Sequence, residues 1–235
     1  MRHAVLACVL ATSVLAQPAA PQTPAGTVLT AWVTAFNSAD PAVTRAFDET
    51  YRPAPPLGQL DPGLRQQTGG FTLLRLDKSE PTSIVAVLQE KNSDRVSRIE
   101  FVVSAEDPPK ILRQTLRPIP RPADLQVQRM TEADALAALS ARAGELADHD
   151  QFSGAVLVAR HGKVLLHKVW GHANREAGTP VTSNSQFRIG SMNKMNGDLR
   201  VFPELALVVA ALSNLDPPAA SRVVDFFTLR MPATR

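Results

Sequence analysis

The sequence predicts an α+β protein, in which a small helix-plus-antiparallel-sheet domain precedes a second, shorter αβ domain. Three observations lead to this fold class. Residues 23–51 have helical periodicity and are followed by four β-rich runs between residues 71 and 116. Three prolines at alternating positions come next. Beyond them the pattern is a helix, two hairpins and a final helix.

The first 16 residues predict a signal peptide. Arg2 and His3 precede an apolar run over residues 4–16, which ends in small residues. The run is too short to span a bilayer, and no other stretch reaches the roughly 18 apolar residues that a spanning helix needs. We therefore expect a periplasmic or secreted protein with no transmembrane segment after the signal is removed.

The single cysteine, Cys8, lies inside this signal segment. The processed chain would then have neither a disulfide nor a thiol nucleophile. A lipid anchor on Cys8 is the alternative, although only four apolar residues precede it.

The first domain is predicted over residues 25–118. A helix from Thr23 to about Asp40 has one apolar face, and Pro41 begins a second, short helix. A loop rich in proline and glycine follows. The β-rich runs are residues 71–76, 84–88, 96–103 and 111–116, with a hairpin turn at residues 92–94.

This element order over residues 25–118 resembles the nuclear-transport-factor-like, or SnoaL-like, fold, in which helices pack on a curved sheet. The resemblance implies either a ligand pocket inside that cone or an accessory or dimerisation domain.

A proline-rich linker is predicted over residues 119–128, because Pro118, Pro120 and Pro122 favour an extended backbone. The second domain then occupies residues 129–235. Thr131 and Asp134 have the spacing of a capping box, at the start of a helix that runs to about Asp148.

Two hairpins and a helix complete the second domain. Strands at 154–160 and 163–170 are joined by the two-residue turn His161-Gly162. Strands at 198–202 and 205–212 are separated by Pro203-Glu204. Asp216 is predicted to cap a final helix over residues 217–231, with prolines in its first turn.

Between these hairpins lies the tetrad S-x-x-K, formed by Ser191 and Lys194. Residues three apart on a helix share a face, so the lysine amine can lie beside the serine hydroxyl. A desolvated lysine can remove the hydroxyl proton and activate the serine for attack on an acyl carbon. The tetrad therefore predicts a nucleophilic serine.

The residues around the tetrad resemble the serine β-lactamase and penicillin-binding-protein family, including class C β-lactamases and their esterase relatives. The resemblance implies that Ser191 is the acylated nucleophile and Lys194 its general base. It also implies a β-lactam, peptidoglycan-type peptide or small ester as substrate, with no metal or cofactor. The segments that carry it are residues 152–160, 162–164, 171–174, 187–194 and 196–216.

The family pattern is incomplete in this chain. Its second motif, Tyr-x-Asn or Ser-x-Asn, has no counterpart, since the single tyrosine, Tyr51, lies in the first domain. Its third motif, Lys or His followed by a small residue and Gly, is missing after Lys194. Asn196-Gly197 predicts that the nucleophile's helix ends early. We therefore expect a domain that lacks an internal segment near Met195, with impaired activity.

The remaining patterns exclude other functions. The net charge of +3 comes from scattered Lys and Arg, which predicts no nucleic-acid binding. His161, His167 and His172 lack carboxylate or thiol neighbours at ligand spacing, so we interpret them as solvent-facing rather than as metal ligands. Two hypotheses remain: an acyl-serine hydrolase, or a non-catalytic envelope binding or scaffold protein in which Ser191 is residual.

Overall fold

A computed structural model describes residues 18–38, 40–53, 62–187 and 197–232 of the chain. It contains two four-stranded antiparallel sheets, each with its own helices and hydrophobic core, and the predicted α+β class is confirmed. The helices are α1 (Pro24–Asn37), α2 (Pro41–Tyr51), α3 (Pro62–Thr68), α4 (Glu132–Asp148) and α5 (Ala219–Arg230). The strands are β1 (Phe71–Glu80), β2 (Ser83–Glu90), β3 (Val96–Val103), β4 (Ile111–Ile119), β5 (Gly154–Arg160), β6 (Lys163–Trp170), β7 (His172–Asn174), β8 (Thr179–Pro180), β9 (Gly197–Phe202) and β10 (Leu207–Ser213).

In the N-terminal half, α1 packs on a sheet of order β1-β2-β3-β4. Thr23 caps α1 by accepting a hydrogen bond from the Gly26 amide. Asp40 caps α2 by accepting one from the Ala42 amide. Trp32 is 1% exposed and stacks on Phe36 with ring centroids 4.9 Å apart. This aromatic cluster forms the centre of the first core.

Two features of this half differ from the sequence prediction. The described part of the predicted proline-rich loop leads into α3, which was not expected. Strand β4 continues past Leu116 to Ile119, because it is an edge strand and tolerates Pro118 opposite Ser97. The nuclear-transport-factor-like resemblance and the boundaries of the two domains and the linker stay predictions.

In the C-terminal half, the sheet has the order β6-β5-β10-β9, so the two predicted hairpins join through their inner strands. Helices α4 and α5 pack on one face of this sheet and on each other. Apolar side chains of that face are fully buried, among them Val156, Val158, Leu207 and Val209. The second core thus requires segments from both ends of this half.

The turns and caps of this half follow local chemistry. His161 and Gly162 both have positive φ, at 50° and 73°, which suits the predicted two-residue hairpin turn. Thr131 accepts a hydrogen bond from the Asp134 amide, as predicted for α4. The predicted Asp216 cap is wrong: α5 begins at Ala219, and the backbone carbonyl of Asp216, rather than its carboxylate, accepts from the Ala219 amide.

The two halves meet where the β2–β3 turn lies against α5. Three ion pairs join them among the described residues: Arg95–Asp225 at 2.6 Å, Glu90–Arg222 at 3.4 Å and Asp94–Arg230 at 2.5 Å. Arg222 and Asp225 lie three positions apart and share one face of the helix, and Arg230 is its last residue. The side chains of Val223 and Phe227 enter the second core. Helix α5 therefore connects both halves.

Across the described ranges, no helix is long and apolar enough to cross a membrane. The same part of the chain contains no group of three or more His, Cys, Asp or Glu side chains able to hold a metal ion.

Candidate functional site

The predicted catalytic residues Ser191 and Lys194 lie outside the described residues. The description of the chain stops after Phe187 and resumes at Gly197, the first residue of β9. The candidate site is therefore built from the part of the second sheet to which this segment is joined.

Gly197, the first residue of β9, shows where this segment joins the sheet. It pairs with Leu212 on β10, and Leu212 pairs in turn with Ala155 on β5. The next pairs toward the strand ends are Ser213 with Gly154, and Gly154 with Trp170. The segment carrying Ser191 and Lys194 thus enters β9 at one defined end of the sheet, which we call the 154/213 end.

A network of hydrogen bonds holds the 154/213 end together. Ser153 Oγ donates to the His172 carbonyl at 2.8 Å, and Asn214 Nδ2 donates to the same oxygen at 2.8 Å. The Ser153 carbonyl accepts from Ser213 Oγ at 3.1 Å and from the Asn214 amide at 3.0 Å. These contacts join the starts and ends of three strands, so the backbone around the site is fixed by side chains.

Two glycines allow this close approach. A Cβ on Gly154 would lie 1.8 Å from the Leu212 carbonyl oxygen. Gly171 has φ +75°, and a Cβ there would lie 2.6 Å from Ser153 Oγ. Any side chain at either position would displace backbone or break the network.

One face of the sheet beside the site is apolar, and no described helix covers it. The register of the four strands places twelve residues on this face, in three rows of four that run across the sheet. His167 is the only one of the twelve with a polar side chain. The most exposed apolar side chains of this face are Leu199 at 67%, Val201 at 58% and Val164 at 54%. The rows are Val201, Val208, Ala159 and Val164; Leu199, Ala210, Leu157 and His167; and Gly197, Leu212, Ala155 and Val169.

Strand β9 orients this face. Its polar side chains Asp198 and Arg200 lie on the helix side, where Arg200 binds Asp198 at 2.9 Å and Asp225 at 2.5 Å. Burial alone would lower the pKa of the Arg200 guanidinium. The hydrogen bonds to these two carboxylates have the larger combined effect, so the pKa is raised. The ion pairs thus anchor β9 to α5, and its apolar side chains Leu199 and Val201 face away from the helices.

Other sequence candidates are not brought together here. Tyr51 ends α2 and packs against Phe47 in the N-terminal core, with ring centroids 5.3 Å apart. His161 lies in the β5–β6 turn, whereas His172 follows β6 at its other end. Both side chains are exposed.

The sequence pattern did not predict the polar network. Ser153, Gly171 and Asn214 lie in segments that carried the family resemblance, but their roles depend on contacts between residues up to 61 positions apart. The signal available in the sequence was the small residues Ser153-Gly154 at the start of a strand and Gly171 directly after one.

Comparison with known proteins agrees with the family resemblance. Residues 132–196 match the model of the family described as Beta-lactamase. A region of 74 residues is 39% identical to Esterase EstB of Burkholderia gladioli, and covers 31% of this chain and 18% of that esterase. No solved structure matches the chain. The second half is thus related in sequence to a β-lactamase-like, serine-hydrolase type of family, over less than a third of the chain.

Proposed function

We propose that the C-terminal half is an acyl-serine hydrolase module in which Ser191 is the nucleophile and Lys194 the general base. The observation that carries this proposal is the extent of the family match, which runs from Glu132 to Asn196 and includes the whole S-x-x-K tetrad. The N-terminal pattern supports export, and a mature chain beginning near Gln17 is part of the proposal.

In the proposed reaction, Ser191 Oγ attacks the acyl carbon while its proton passes to Lys194 Nζ. The tetrahedral intermediate expels the leaving group, which takes up that proton, and an acyl-serine ester remains. Water then adds to the ester, and release of the acid restores the serine hydroxyl. Because EstB is named an esterase, a small ester is the first substrate class, with β-lactams and peptidoglycan-type peptides as the others.

The proposal includes weak turnover in this chain. Deacylation needs a polarised acyl oxygen, an activated water and groups converging from several elements. The single tyrosine packs in the other core, and the sheet face beside the site presents apolar side chains. Such a site favours one acylation per chain over repeated hydrolysis.

The test is to incubate the full chain with p-nitrophenyl butyrate and with a chromogenic cephalosporin, and to follow both product release and intact mass. We expect one acyl adduct per chain, no turnover above background afterwards, and loss of the adduct in Ser191→Ala. Ser183→Ala is the matched control, because Ser183 is an exposed serine eight positions away. It should be acylated like the unsubstituted chain.

Two results would contradict the proposal at different points. Equal labelling of Ser191→Ala and the unsubstituted chain would exclude Ser191 as the nucleophile and favour the non-catalytic binding protein. Rapid turnover that disappears in Ser191→Ala would show instead that the shortened site is fully competent.

A further inference from the structure

A cavity of about 450 Å³ lies between the two halves. One wall is the β2–β3 turn, and the others are α4 and α5. Its volume falls within the range of small-molecule sites. We call it the inter-half cavity.

The charged lining of this cavity is unbalanced. Four cationic side chains line it: Lys91, Arg142, Arg222 and Arg230. Two carboxylates do so, Asp94 and Glu145. Even with Glu90, the partner of Arg222, the group has an excess of positive charge. A cavity with this charge attracts anions.

Arg222 is the most deeply buried of the three arginines, and its carboxylate contact is the longest. Its side chain is 8% exposed, its Nε has no hydrogen-bond partner, and its one carboxylate contact, to Glu90, is long at 3.4 Å. Burial lowers the pKa of Arg222, and although Glu90 raises it, the nearby Arg95 and Arg142 lower it further. A buried guanidinium whose carboxylate contact is long gains from a ligand that carries negative charge and accepts hydrogen bonds.

The neighbouring arginines are held in place before any ligand arrives. Asp94 binds Arg230 through both carboxylate oxygens, and Arg230 also stacks on the Phe226 ring at 3.8 Å. Arg142 donates to the Asn92 carbonyl at 2.8 Å. Because these side chains are already ordered, binding costs less conformational entropy.

The helices also give the cavity an apolar wall, formed by Ala138, Ala141, Leu146 and Phe226, while β2 and the β2–β3 turn add the polar residues Gln89, Asn92 and Ser93. A free inorganic ion would leave this wall uncovered, whereas an organic acid can place its body there and its charged end at the arginines. The geometry points to a binding site for a small carboxylate with an apolar body, held by Arg222 and Arg142 between the two halves.

Benzoate and benzamide test the site, because they share a shape and differ in charge. In calorimetric titrations of the full chain, we expect saturable binding of benzoate at one site, with benzamide at least about tenfold weaker. Inorganic phosphate should compete more weakly than benzoate. Phosphate binding without benzoate binding would overturn the assignment to a carboxylate.

Substitutions of the lining residues test whether benzoate binds in the inter-half cavity. Glu90→Gln with Arg222→Met removes the ion pair as a unit, so that no unpaired charge stays buried, and should weaken benzoate at least about tenfold. Arg142→Gln, at a half-buried position, should weaken it several-fold and guards against misfolding of the double variant. Lys168→Met is the control, since Lys168 lies on β6 outside the cavity and binds Ser140. Unchanged benzoate affinity in both cavity variants, or equal affinity for benzamide, would overturn the inference.

Discussion

At the scale of single residues, the 154/213 end depends on positions where a side chain is absent. Gly171 has φ +75° directly after β6, and Ser153 occupies the space that a Cβ would take. The same serine donates to the His172 carbonyl at 2.8 Å. One glycine therefore makes both the turn and the contact between two strand ends possible.

We expect Gly171→Ala to destabilise the protein by about 2–3 kcal/mol, through the strained φ and the clash with Ser153. Gly162→Ala is the matched control, because Gly162 has φ +73° but nothing lies within 4 Å of its added Cβ. It should cost only about 1 kcal/mol, the conformational part. Urea unfolding measures both. Equal losses would mean that Ser153 moves freely and that the network does not fix this end.

The residue pattern predicted part of the candidate site. The S-x-x-K tetrad was visible in the sequence because both residues lie within four positions. The bond from Ser213 Oγ to the Ser153 carbonyl spans 60 positions, and local spacing holds no information on it. Helix and strand periodicity also could not assign the cations of the inter-half cavity, because they come from both halves.

At the scale of elements, α4 shows how local chemistry sets a boundary. Thr131 Oγ1 accepts from the Asp134 amide at 3.2 Å and donates to the Asp134 carboxylate at 2.7 Å. Glu132 and Asp134 place negative charge in the first turn, where the helix dipole favours it. The helix then buries Leu139 and Ala143 completely against the second sheet.

Thr131→Ala should destabilise the chain by about 1 kcal/mol, since it leaves a first-turn amide without its cap. Thr34→Ala provides the control, because Thr34 is exposed inside α1 and only donates back to the Thr30 carbonyl. Its effect should stay within about 0.5 kcal/mol. Thermal and urea unfolding give both values. A loss for Thr131→Ala no larger than the control would contradict a capping role.

Elements with strong periodicity were predicted well from the sequence, and the others were not. Strand β3 has its predicted limits, Val96 and Val103, because its burial alternates with the pleat. Helix α3, with the sequence PGLRQQT, has almost no apolar periodicity and was missed. Strand β4 extends to Ile119 because only an edge position tolerates Pro118, and neighbours in a sheet are a tertiary property.

At the scale of the whole molecule, α5 has two different faces. Val223, Val224 and Phe227 are fully buried in the second core. Arg222, Asp225 and Arg230 bind acidic and basic residues around the β2–β3 turn of the other half. The sequence predicted only the first face, as periodicity identifies an apolar stripe but not the partner of a charged one.

The Asp94–Arg230 pair offers a test of how strongly the halves are joined. Both side chains are nearly buried, at 12% and 13% exposure. Asp94→Asn should therefore cost about 1.5–3 kcal/mol, because it leaves the Arg230 charge without its carboxylate. Asp124→Asn removes an exposed partner of Arg75 and should cost clearly less than Asp94→Asn.

Variants that keep a single tryptophan let urea unfolding follow each half separately, since Trp32 belongs to the first core and Trp170 packs against the second. In Asp94→Asn, both fluorescence signals should shift to lower urea concentration. If the Asp94 variant were no less stable than the Asp124 variant, the ion pair would not contribute to the contact between the halves.

The strand order of the second sheet also has a consequence for protein synthesis. The first sheet pairs each strand with its neighbour in sequence, β1 through β4, so it can assemble while the nascent chain is still emerging. Strand β5 instead pairs with β10, which lies about fifty residues later. The core that these two strands share is complete only when α5 packs on them. Until the ribosome has released residues 207–230, the apolar side chains of β5 and α4 lack their partners from β10 and α5. During that interval they are the natural target of holding chaperones.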